Sequence, residues 1–254
     1  MSALDDAIDM LACFSFAQTG LTQADLLRRT GVPKATASRV LRTLRDRGVL
    51  DYDPERRLYS VGVRLFELGQ IYRRNHDFLS ALAARVDAIS RETGMTGYVT
   101  VFDGAELVIL RMSQGSHPLA IFTPPGARVP CWSTSNGRAM LALLGDAEIR
   151  DRLPDPLPRV TEAAPATLAA VLGRVAAIRR AGGVESSRHE TLEGVGSEGV
   201  GVRDPASGEI FGVAISYPDA AISEEERLGI AGRLRGLRRD FARLEEPMTG
   251  RDAG

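Results

Sequence analysis

The feature that most constrains the fold is a break between two short helical segments, where residues 30–34 read Thr-Gly-Val-Pro-Lys. Gly31 favours the left-handed backbone that ends a helix, and Pro33 is tolerated in the first turn of the next one. Upstream, Thr22 and Asp25 have the spacing of a capping box, which marks where the first helix begins. The pattern therefore predicts two helices, over residues 22–30 and 34–47, joined by a tight turn.

The second of these helices has two different faces. A buried stripe is predicted by four apolar residues at helical spacing, Ala37, Val40, Leu41 and Leu44. The other face is basic and rich in hydroxyl groups, and it comprises Lys34, Thr36, Ser38, Arg39, Arg42 and Arg45. The chain as a whole has a net charge of −1, so the basic excess is local. Arginine pairs with phosphates and with guanine edges, and this face therefore predicts contact with DNA. A merely solvated face on a helical bundle is the alternative.

Further elements flank these two helices. Ser2 and Asp5 form another capping box, which predicts a helix at the start of the chain. After the basic helix, residues 49–52 and 58–61 alternate in polarity around a polar turn and predict a hairpin with Arg56 and Arg57 at its tip. Three helices followed by a basic hairpin have the form of a winged helix-turn-helix, and this order argues against the merely solvated face.

The rest of the chain mixes helical and strand periodicity. Residues 62–93 are strongly helical, and a linker helix is predicted over residues 63–78. Strands are predicted over residues 97–102, 106–112, 119–123, 200–203 and 210–217, and helices over residues 137–144 and 166–180 and from Ser223 onward. Hairpins with interleaved helices predict an α+β fold built on an antiparallel sheet. The predicted domains are residues 1–62, the linker helix, residues 79–247, and a disordered tail over residues 248–254.

Several classes of protein are disfavoured. The chain has no long apolar run and an acidic N-terminus, so we expect no membrane association and no signal peptide. Two cysteines favour a reducing cytoplasm. Residues 194–199 fit G-x-G-x-x-G, but a strand follows where a dinucleotide site needs a helix. Cys131 has no candidate base nearby in sequence, and the histidines lack metal-binding spacing. We therefore expect no enzyme, no cofactor and no metal. In the last helix, Arg235, Arg238, Arg239 and Arg243 are expected to pair with Glu225, Glu226 or Glu245.

The sequence TQADLLRRTGVPKATASRVLRTL, residues 22–44, resembles the winged helix-turn-helix of the IclR family of bacterial transcription regulators. Residues 48–50 and 59–62 resemble that family's wing and its exit. The sequence PCWSTSNGRAMLA, residues 130–142, resembles the family segment that ends in Gly-Lys-Ala-x-Leu-Ala, and Gly194-Val195 with residues 208–217 resembles the C-terminal signature. The resemblance covers nearly the whole chain.

The chain departs from the family pattern at several positions. Ala35 stands where members often have a serine early in the recognition helix, and Trp132 stands where many have a histidine. Ser197 occupies a position where cysteine or serine is common, and residues 199–202 are glycine-rich where Ala-Ala-Pro-Val is common. Because these differences fall around the expected pocket, we transfer no known member's ligand.

The resemblance implies a transcriptional regulator with a GAF-like effector-binding domain, in which helices flank a curved antiparallel sheet. It also implies dimers through the DNA-binding domain and linker helix, tetramers through the effector domain, and a pseudo-palindromic operator in double-stranded DNA. Arg39 and Arg42 are the main candidates for base or phosphate contacts, with Thr36 and Ser38 supporting them. The full set of candidate DNA-binding residues is Thr22, Lys34, Ala35, Thr36, Ser38, Arg39, Arg42, Arg45 and Arg57.

The resemblance places the effector site by position at Ile121, Trp132, Ser135, Asn136, Val195, Ser197, Ala214 and Ser216. Serine hydroxyls and backbone N–H groups at a helix start suit an anion, so a small carboxylic acid is the favoured effector. A second hypothesis is a small-molecule sensor or enzyme whose N-terminal module mediates protein contacts. Charge reversal at Arg39 and Arg42 discriminates between the two hypotheses.

Overall fold

The computed structural model describes residues 2–16, 18–74, 77–119 and 121–243. The chain divides into two compact units, one ending at Leu79 and the other beginning at Ser80. The predicted boundary between the linker and the second domain lies one residue before this division. The predicted tail over residues 248–254 and the domain end at residue 247 lie outside the described residues. No helix in the described ranges is long and apolar enough to cross a bilayer.

The first unit contains three short helices and a small sheet. The helices are α1 (Ala3–Ala12), α2 (Gln23–Thr30) and α3 (Lys34–Asp46). The strands are β1 (Gly20–Leu21), β2 (Leu50–Asp53) and β3 (Leu58–Val61), and they pair antiparallel in the order β1-β3-β2. Both predicted capping boxes are present, and Gly31 ends α2 with a φ of +69°. The winged helix-turn-helix is confirmed.

The core of the first unit is built from all three helices and the small sheet. Its buried apolar residues are Met10, Leu21, Leu26, Val32, Ala37, Val40, Leu41 and Leu50. The spacing in α2 predicts that Ala24, Leu26 and Leu27 face the core, and this is wrong only for Ala24, which is exposed. Leu26 is fully buried and the half-buried Leu27 packs against it and its neighbours in the core, because a helix of two turns has only a narrow stripe that faces inward.

Two helices occupy the stretch predicted to be strongly helical. They are α4 (Val63–Arg74) and α5 (Asp77–Thr93), and Asn75 and His76 between them lie outside the described residues. Along α4 the apolar side chains of Val63, Phe66 and Ile71 are exposed. By contrast, α5 buries an apolar stripe made of Leu79, Leu82, Val86 and Ile89.

The second unit is built on a six-stranded antiparallel sheet with the order β6-β5-β4-β9-β8-β7. The strands are β4 (Thr96–Asp103), β5 (Glu106–Ser113), β6 (Arg128–Pro130), β7 (Val184–Arg188), β8 (Val195–Arg203) and β9 (Ile210–Pro218). The helices are α6 (Ser135–Leu141), α7 (Asp146–Arg152), α8 (Leu168–Arg180) and α9 (Glu224–Ala242). The predicted α+β fold is therefore confirmed.

Helices α6 and α9 lie on opposite faces of this sheet. On β8, a Cβ added to Gly199 would meet the backbone of α6, whereas the neighbouring Glu198 contacts Arg227 of α9. Successive residues of a strand point to opposite faces, so the two helices are separated by the sheet. The result matches the GAF-like arrangement that the resemblance implied.

The strand predicted over residues 119–123 is wrong. Residue 119 and residues 121–123 form no strand, and the sheet continues instead with β6, which pairs with β5. The segment lies between Pro118 and Pro124-Pro125, and proline lacks the N–H that a ladder needs. Three elements of the second unit were not predicted, α7, β6 and β7, and β8 starts five residues earlier than the strand predicted at residue 200. Polar composition concealed β7, and glycines concealed the first half of β8.

Candidate functional site

The exposed face of α3 presents cations without partners. Ala35, Arg39 and Arg42 lie at i, i+4 and i+7, opposite the buried stripe, and all three are exposed. Among the described residues, the charged groups of Lys34, Arg39 and Arg42 form no ion pair. Ser38 on the same face is exposed and Thr36 is half-buried. Unpaired guanidinium groups on a helix retain all their hydrogen-bond donors for a phosphate or a base edge.

The remaining candidate DNA-binding residues differ in whether their side chains are already held by an ion pair or a hydrogen bond. Arg45 is already engaged, because its Nη2 lies 2.8 Å from Asp46 Oδ1. Thr22 caps α2 and donates a 2.6 Å hydrogen bond from Oγ1 to Asp25. That bond is the largest cause of the lowered pKa of Asp25, which falls to about 2. Arg57 is exposed at the turn of the β2–β3 hairpin, with a φ of +55°, and forms no ion pair with any described residue.

A cavity of about 90 Å³ lies in the second unit. Strands β4, β8 and β9, the start of α6, and the segments before β6 and before β8 contribute its walls. One water needs about 10–15 Å³ of volume measured in this way. The cavity is therefore large enough for several waters or for a small organic molecule. The lining residues are Tyr98, Thr100, Ile109, Ile121, Thr123, Val129, Thr134, Asn136, Ser187, Thr191, Leu192, Val195, Ser197, Ala214 and Ser216. None of these lining residues is charged.

Six of the eight predicted effector residues line this cavity, namely Ile121, Asn136, Val195, Ser197, Ala214 and Ser216. Ser135 lies behind the wall, where its Oγ is 2.8 Å from Ser197 Oγ. Trp132 does not line the cavity. It belongs to a core with Leu107 and Met140, and its indole N–H has no partner among the described residues. Its large apolar ring is better accommodated in this core than beside the polar lining.

Sequence reasoning missed the contribution of β4. Tyr98 and Thr100 face the cavity from one side of β4, and Tyr98 pairs with Ala214 of β9 across the ladder. Side chains alternate between two faces along the strand predicted over residues 97–102. Only the pairing of this strand with its neighbour shows which of the two faces points into the cavity. Thr134, Ser187 and Thr191 were missed because no local pattern marks them.

Hydrogen bonds fix the polar groups of the cavity. Asn136 donates from Nδ2 to Thr100 Oγ1 at 2.8 Å, which orients its amide. Tyr98 donates from its hydroxyl to the Ile121 carbonyl at 2.7 Å, and burial raises the pKa of this phenol. Thr191 donates to the Ser133 carbonyl at 2.8 Å. The cavity therefore has rigid neutral donors and acceptors, as a specific binding site needs.

A buried ion network supports the wall that contains Ser187. Arg138, which is fully buried, donates from Nε to Glu185 and from Nη1 to the Trp132 carbonyl, each at 2.8 Å. Its Nη2 lies 2.5 Å from Glu190, which also accepts a 3.2 Å hydrogen bond from Ser187 and lies 3.4 Å from Arg174. Arg174 supplies the second positive charge of the network, and its Nη2 lies 2.7 Å from Glu185. The network is neutral overall, and removal of one member would leave a buried charge without a partner.

Glycines allow α6 to rest directly on the sheet. A Cβ on Gly199 would lie 2.3 Å from the backbone nitrogen of Asn136, and one on Gly201 would lie 2.7 Å from the Ala139 carbonyl oxygen. The glycine-rich departure from the family pattern therefore has a packing reason. It brings Asn136 against β8 and next to the cavity.

The enzyme-like signals do not form catalytic groups. Burial raises the pKa of the Cys131 thiol to about 12, so the reactive thiolate is scarce at neutral pH. Residues 195–199 of the G-x-G-x-x-G match lie within β8, and the next element is β9 rather than a helix. Within the described ranges, no group of three potential metal ligands comes together.

Comparison with known proteins gives one consistent result. The model for the IclR helix-turn-helix domain matches residues 3–54, and the model described as bacterial transcriptional regulator IclR C-terminal matches residues 70–243. The chain is 28% identical over 229 residues to the HTH-type transcriptional regulator XynR of Escherichia coli, covering 89% of this chain and 90% of XynR. It is 28% identical over 209 residues to KdgR of the same species, covering 82% and 78%.

Solved structures share the fold. An IclR transcriptional regulator from Alicyclobacillus acidocaldarius superposes with a TM-score of 0.85 at 21% identity, covering 96% of this chain and 98% of that one. An IclR homologue from Microbacterium hydrocarbonoxydans, complexed with 4-hydroxybenzoate, gives a TM-score of 0.76 at 22% identity and covers 94% and 100%. The curated relatives are named as transcriptional regulators and not as enzymes. The chain therefore belongs to the IclR family, whose members are DNA-binding transcriptional regulators with a C-terminal effector-binding domain.

Proposed function

We propose that the exposed face of α3 reads a pseudo-palindromic operator in double-stranded DNA. Residues 1–62 would act as the DNA-binding domain, residues 63–78 as the linker and residues 79–247 as the effector-binding domain. The observation that carries the proposal is that Arg39 and Arg42, on a face opposite the core, form no ion pair with any residue that the structure describes. Ser38 and Thr36 supply shorter hydroxyl contacts, and Arg57 contacts the backbone from the wing. The protein acts in the cytoplasm, where its operator is.

The DNA-binding proposal is tested by titrating operator DNA at two salt concentrations. Upstream intergenic DNA is the first candidate, and saturable binding that outlasts competitor DNA supports a sequence-specific regulator. Removal of a phosphate-contacting arginine lowers affinity for all sequences, whereas removal of a base reader relaxes specificity at one position. Unchanged operator affinity in both Arg39→Ala and Arg42→Ala would show that the recognition face is elsewhere.

We propose further that the protein works as a homodimer or homotetramer. The support is a set of exposed apolar side chains on α1 and α4 in the first unit, namely Leu4, Ile8, Val63, Phe66 and Ile71. Large apolar side chains that are exposed repeatedly along a helix, as on α4, are typical of a protein interface. Sedimentation of the wild type should give a dimer or larger species. The variant Val63→Asp/Phe66→Asp should shift the distribution toward monomer, and an unchanged distribution would place the interface elsewhere.

We infer that the cavity beside α6 holds a small organic effector, with a carboxylic acid as the favoured class. The support is the uncharged but donor-rich lining, in which Asn136, Ser197 and Ser216 present an amide and two hydroxyls. The ligand of the Microbacterium homologue, 4-hydroxybenzoate, is a small aromatic acid. An effector shifts regulation only when it binds two arrangements of the protein with different free energies.

The effector proposal is tested with a matched pair of probes, 4-hydroxybenzoate and its neutral analogue 4-hydroxybenzyl alcohol. Stabilisation against heat by the acid alone, together with altered operator affinity, supports a carboxylate site. Asn136→Asp adds a negative charge with little change in shape, and should remove the response to the acid. Binding of the alcohol alone would show that the effector is not an acid, although the cavity would still be the binding site. If a wider panel of small acids also fails to bind, the proposal of an acid effector is wrong.

A further inference from the structure

The C-terminal half of α9 carries arginines that the sequence led us to expect in ion pairs. Within the described ranges, none of Arg235, Arg238, Arg239 and Arg243 forms one, so that expectation was wrong for Glu225 and Glu226. Glu226 is used instead at the helix start, where it accepts a 2.8 Å hydrogen bond from the Ser223 backbone. Along a helix, nine residues span about 13 Å, too far for these side chains to meet. Glu245 lies outside the described residues.

One of these arginines lies in a groove. Two adjoining cavities of about 180 and 60 Å³ share Leu143 and Arg238, and we call them together the α6–α9 groove. Three arginines line it, Arg179, Arg203 and Arg238, beside apolar walls that include Ala139 and Ala142. No residue of this groove lines the cavity beside Asn136, so the two sites are separate.

The charges of this groove are only partly compensated. Arg179 is paired with Asp146 at 2.7 Å. Arg203 instead donates to the carbonyls of Gly208 and Leu143, at 2.9 and 3.1 Å, and forms no ion pair with any described residue. Two guanidinium groups, those of Arg203 and Arg238, therefore line a concave site without a carboxylate partner in the part of the chain that the structure describes. Converging charge in a cleft concentrates the field and attracts anions.

The backbone is adapted to place Arg238 in this groove. Its Nη1 donates to the Gly182 carbonyl at 3.1 Å, which holds the planar group in position. Gly183 has a φ of +88°, and a Cβ there would lie 2.6 Å from the Nε of Arg238. The positive φ favours glycine, and a Cβ at this position would displace the guanidinium from the place it occupies. A guanidinium has five N–H donors, so most of those of Arg238 remain available to a ligand.

We propose that the α6–α9 groove binds a small anion with at least two negative charges, of the kind presented by the phosphate group of a phosphorylated metabolite. The two guanidinium groups that have no described carboxylate partner match a dianion in charge, and their planar N–H donors match phosphate oxygens in geometry. The apolar wall of Ala139 and Ala142 accommodates the carbon skeleton of such a ligand. The groove touches the C-terminal part of α6, whereas the effector cavity touches its start at Thr134 and Asn136.

The test is calorimetric titration of the full chain with inorganic pyrophosphate at matched ionic strength. Arg238→Gln and Arg203→Gln should each weaken pyrophosphate binding at least tenfold. Arg238→Lys, which keeps the charge without the planar group, should lose less. Arg47→Gln, at an exposed arginine after α3 that is outside the candidate DNA-binding set, removes the same charge far from the groove in sequence and should leave the affinity within about twofold of wild type, since diffuse attraction is screened by salt.

Two results would overturn the proposal. One is the absence of pyrophosphate binding by the wild type. The other is equal weakening in Arg47→Gln and Arg238→Gln, which would show that anions are attracted by net charge alone. If Arg238→Gln does not fold, judged by circular dichroism, the comparison of Arg203→Gln with Arg47→Gln decides the same question.

Discussion

The two units of this protein offer their functional groups in opposite ways. On α3, Arg39 and Arg42 are exposed and without ion-pair partners among the described residues. Around the cavity of the second unit, Asn136 and Ser197 are buried, and both are hydrogen-bonded to neighbouring side chains. The first arrangement suits a large polyanion that approaches from solvent. The second suits a small molecule that must replace water at a few fixed groups.

This difference determines how each site responds to mutation. We expect the exposed arginines to contribute to DNA binding and little to stability, because exposed charges contribute little to the folded state. We expect the cavity residues to contribute to both effector binding and stability, because a change among packed, hydrogen-bonded groups also disturbs the core. Four experiments, in order of decreasing expected effect, test this contrast.

The largest effect is expected from charge reversal on α3. The variant Arg39→Glu/Arg42→Glu should lose operator affinity by about a hundredfold or more, because each lost contact costs about 1–3 kcal/mol and the new carboxylates repel phosphate. Fluorescence anisotropy at fixed salt measures the change. Arg150→Glu, an exposed arginine of α7, is the matched control and should have little effect. Retained operator binding would favour a module for protein contacts.

The two cysteines, one in each unit, should differ in reactivity. Cys131 is buried and its pKa is raised to about 12, whereas Cys13 is only half-buried. Since the thiolate is the reactive form, we expect Cys131 to react with a disulfide reagent at pH 8 about a hundredfold more slowly than Cys13. Raising the pH should accelerate both reactions. Mass spectrometry of labelled peptides measures the rates, and Cys13→Ser isolates the slow site. Equal rates would contradict the buried position of Cys131.

Substitution of Gly199 should destabilise the second unit. Gly199→Ala places a Cβ 2.3 Å from the backbone nitrogen of Asn136, and we expect a loss of about 1–3 kcal/mol from overpacking. Thermal unfolding measures the loss, while the operator affinity of the folded protein should be unchanged. Gly173→Ala is the matched control, because a Cβ there meets nothing within 4 Å and alanine favours the helix. Equal stability of the two variants would show that α6 adjusts without cost.

The smallest effect distinguishes two arginines of the same helix. Arg42→Ala should cost about 1–3 kcal/mol of operator affinity and reduce the salt dependence by about one ion. Arg45 is paired with Asp46, so Arg45→Ala/Asp46→Ala removes no net charge and should cost less than about 1 kcal/mol. Binding isotherms at several salt concentrations separate the two cases. A loss of operator affinity in the double variant that exceeds this limit would mean that Arg45 breaks its ion pair with Asp46 and contacts DNA.

The sequence predicted the first unit more completely than the second. Its capping boxes, its helix-ending glycine and the stripe of Ala37, Val40 and Leu41 are local patterns, and the structure confirms them. In the second unit, the predicted strand near Ile121 is absent, and β7 and α7 were missed. Six of the predicted effector residues line one cavity, but their role in binding stays a prediction. Trp132 lies in the core instead.

The sequence alone determined the family, the winged helix-turn-helix and the identity of the exposed basic face. Those features depend on residues within four positions of one another, where helical geometry fixes which side chains share a face. Tertiary structure decided which polar groups meet at the cavity, why glycine is needed at positions 199 and 201, and that Arg238 faces a groove. These contacts join residues far apart in the chain, and strand pairing and close packing, which no local pattern encodes, bring them together.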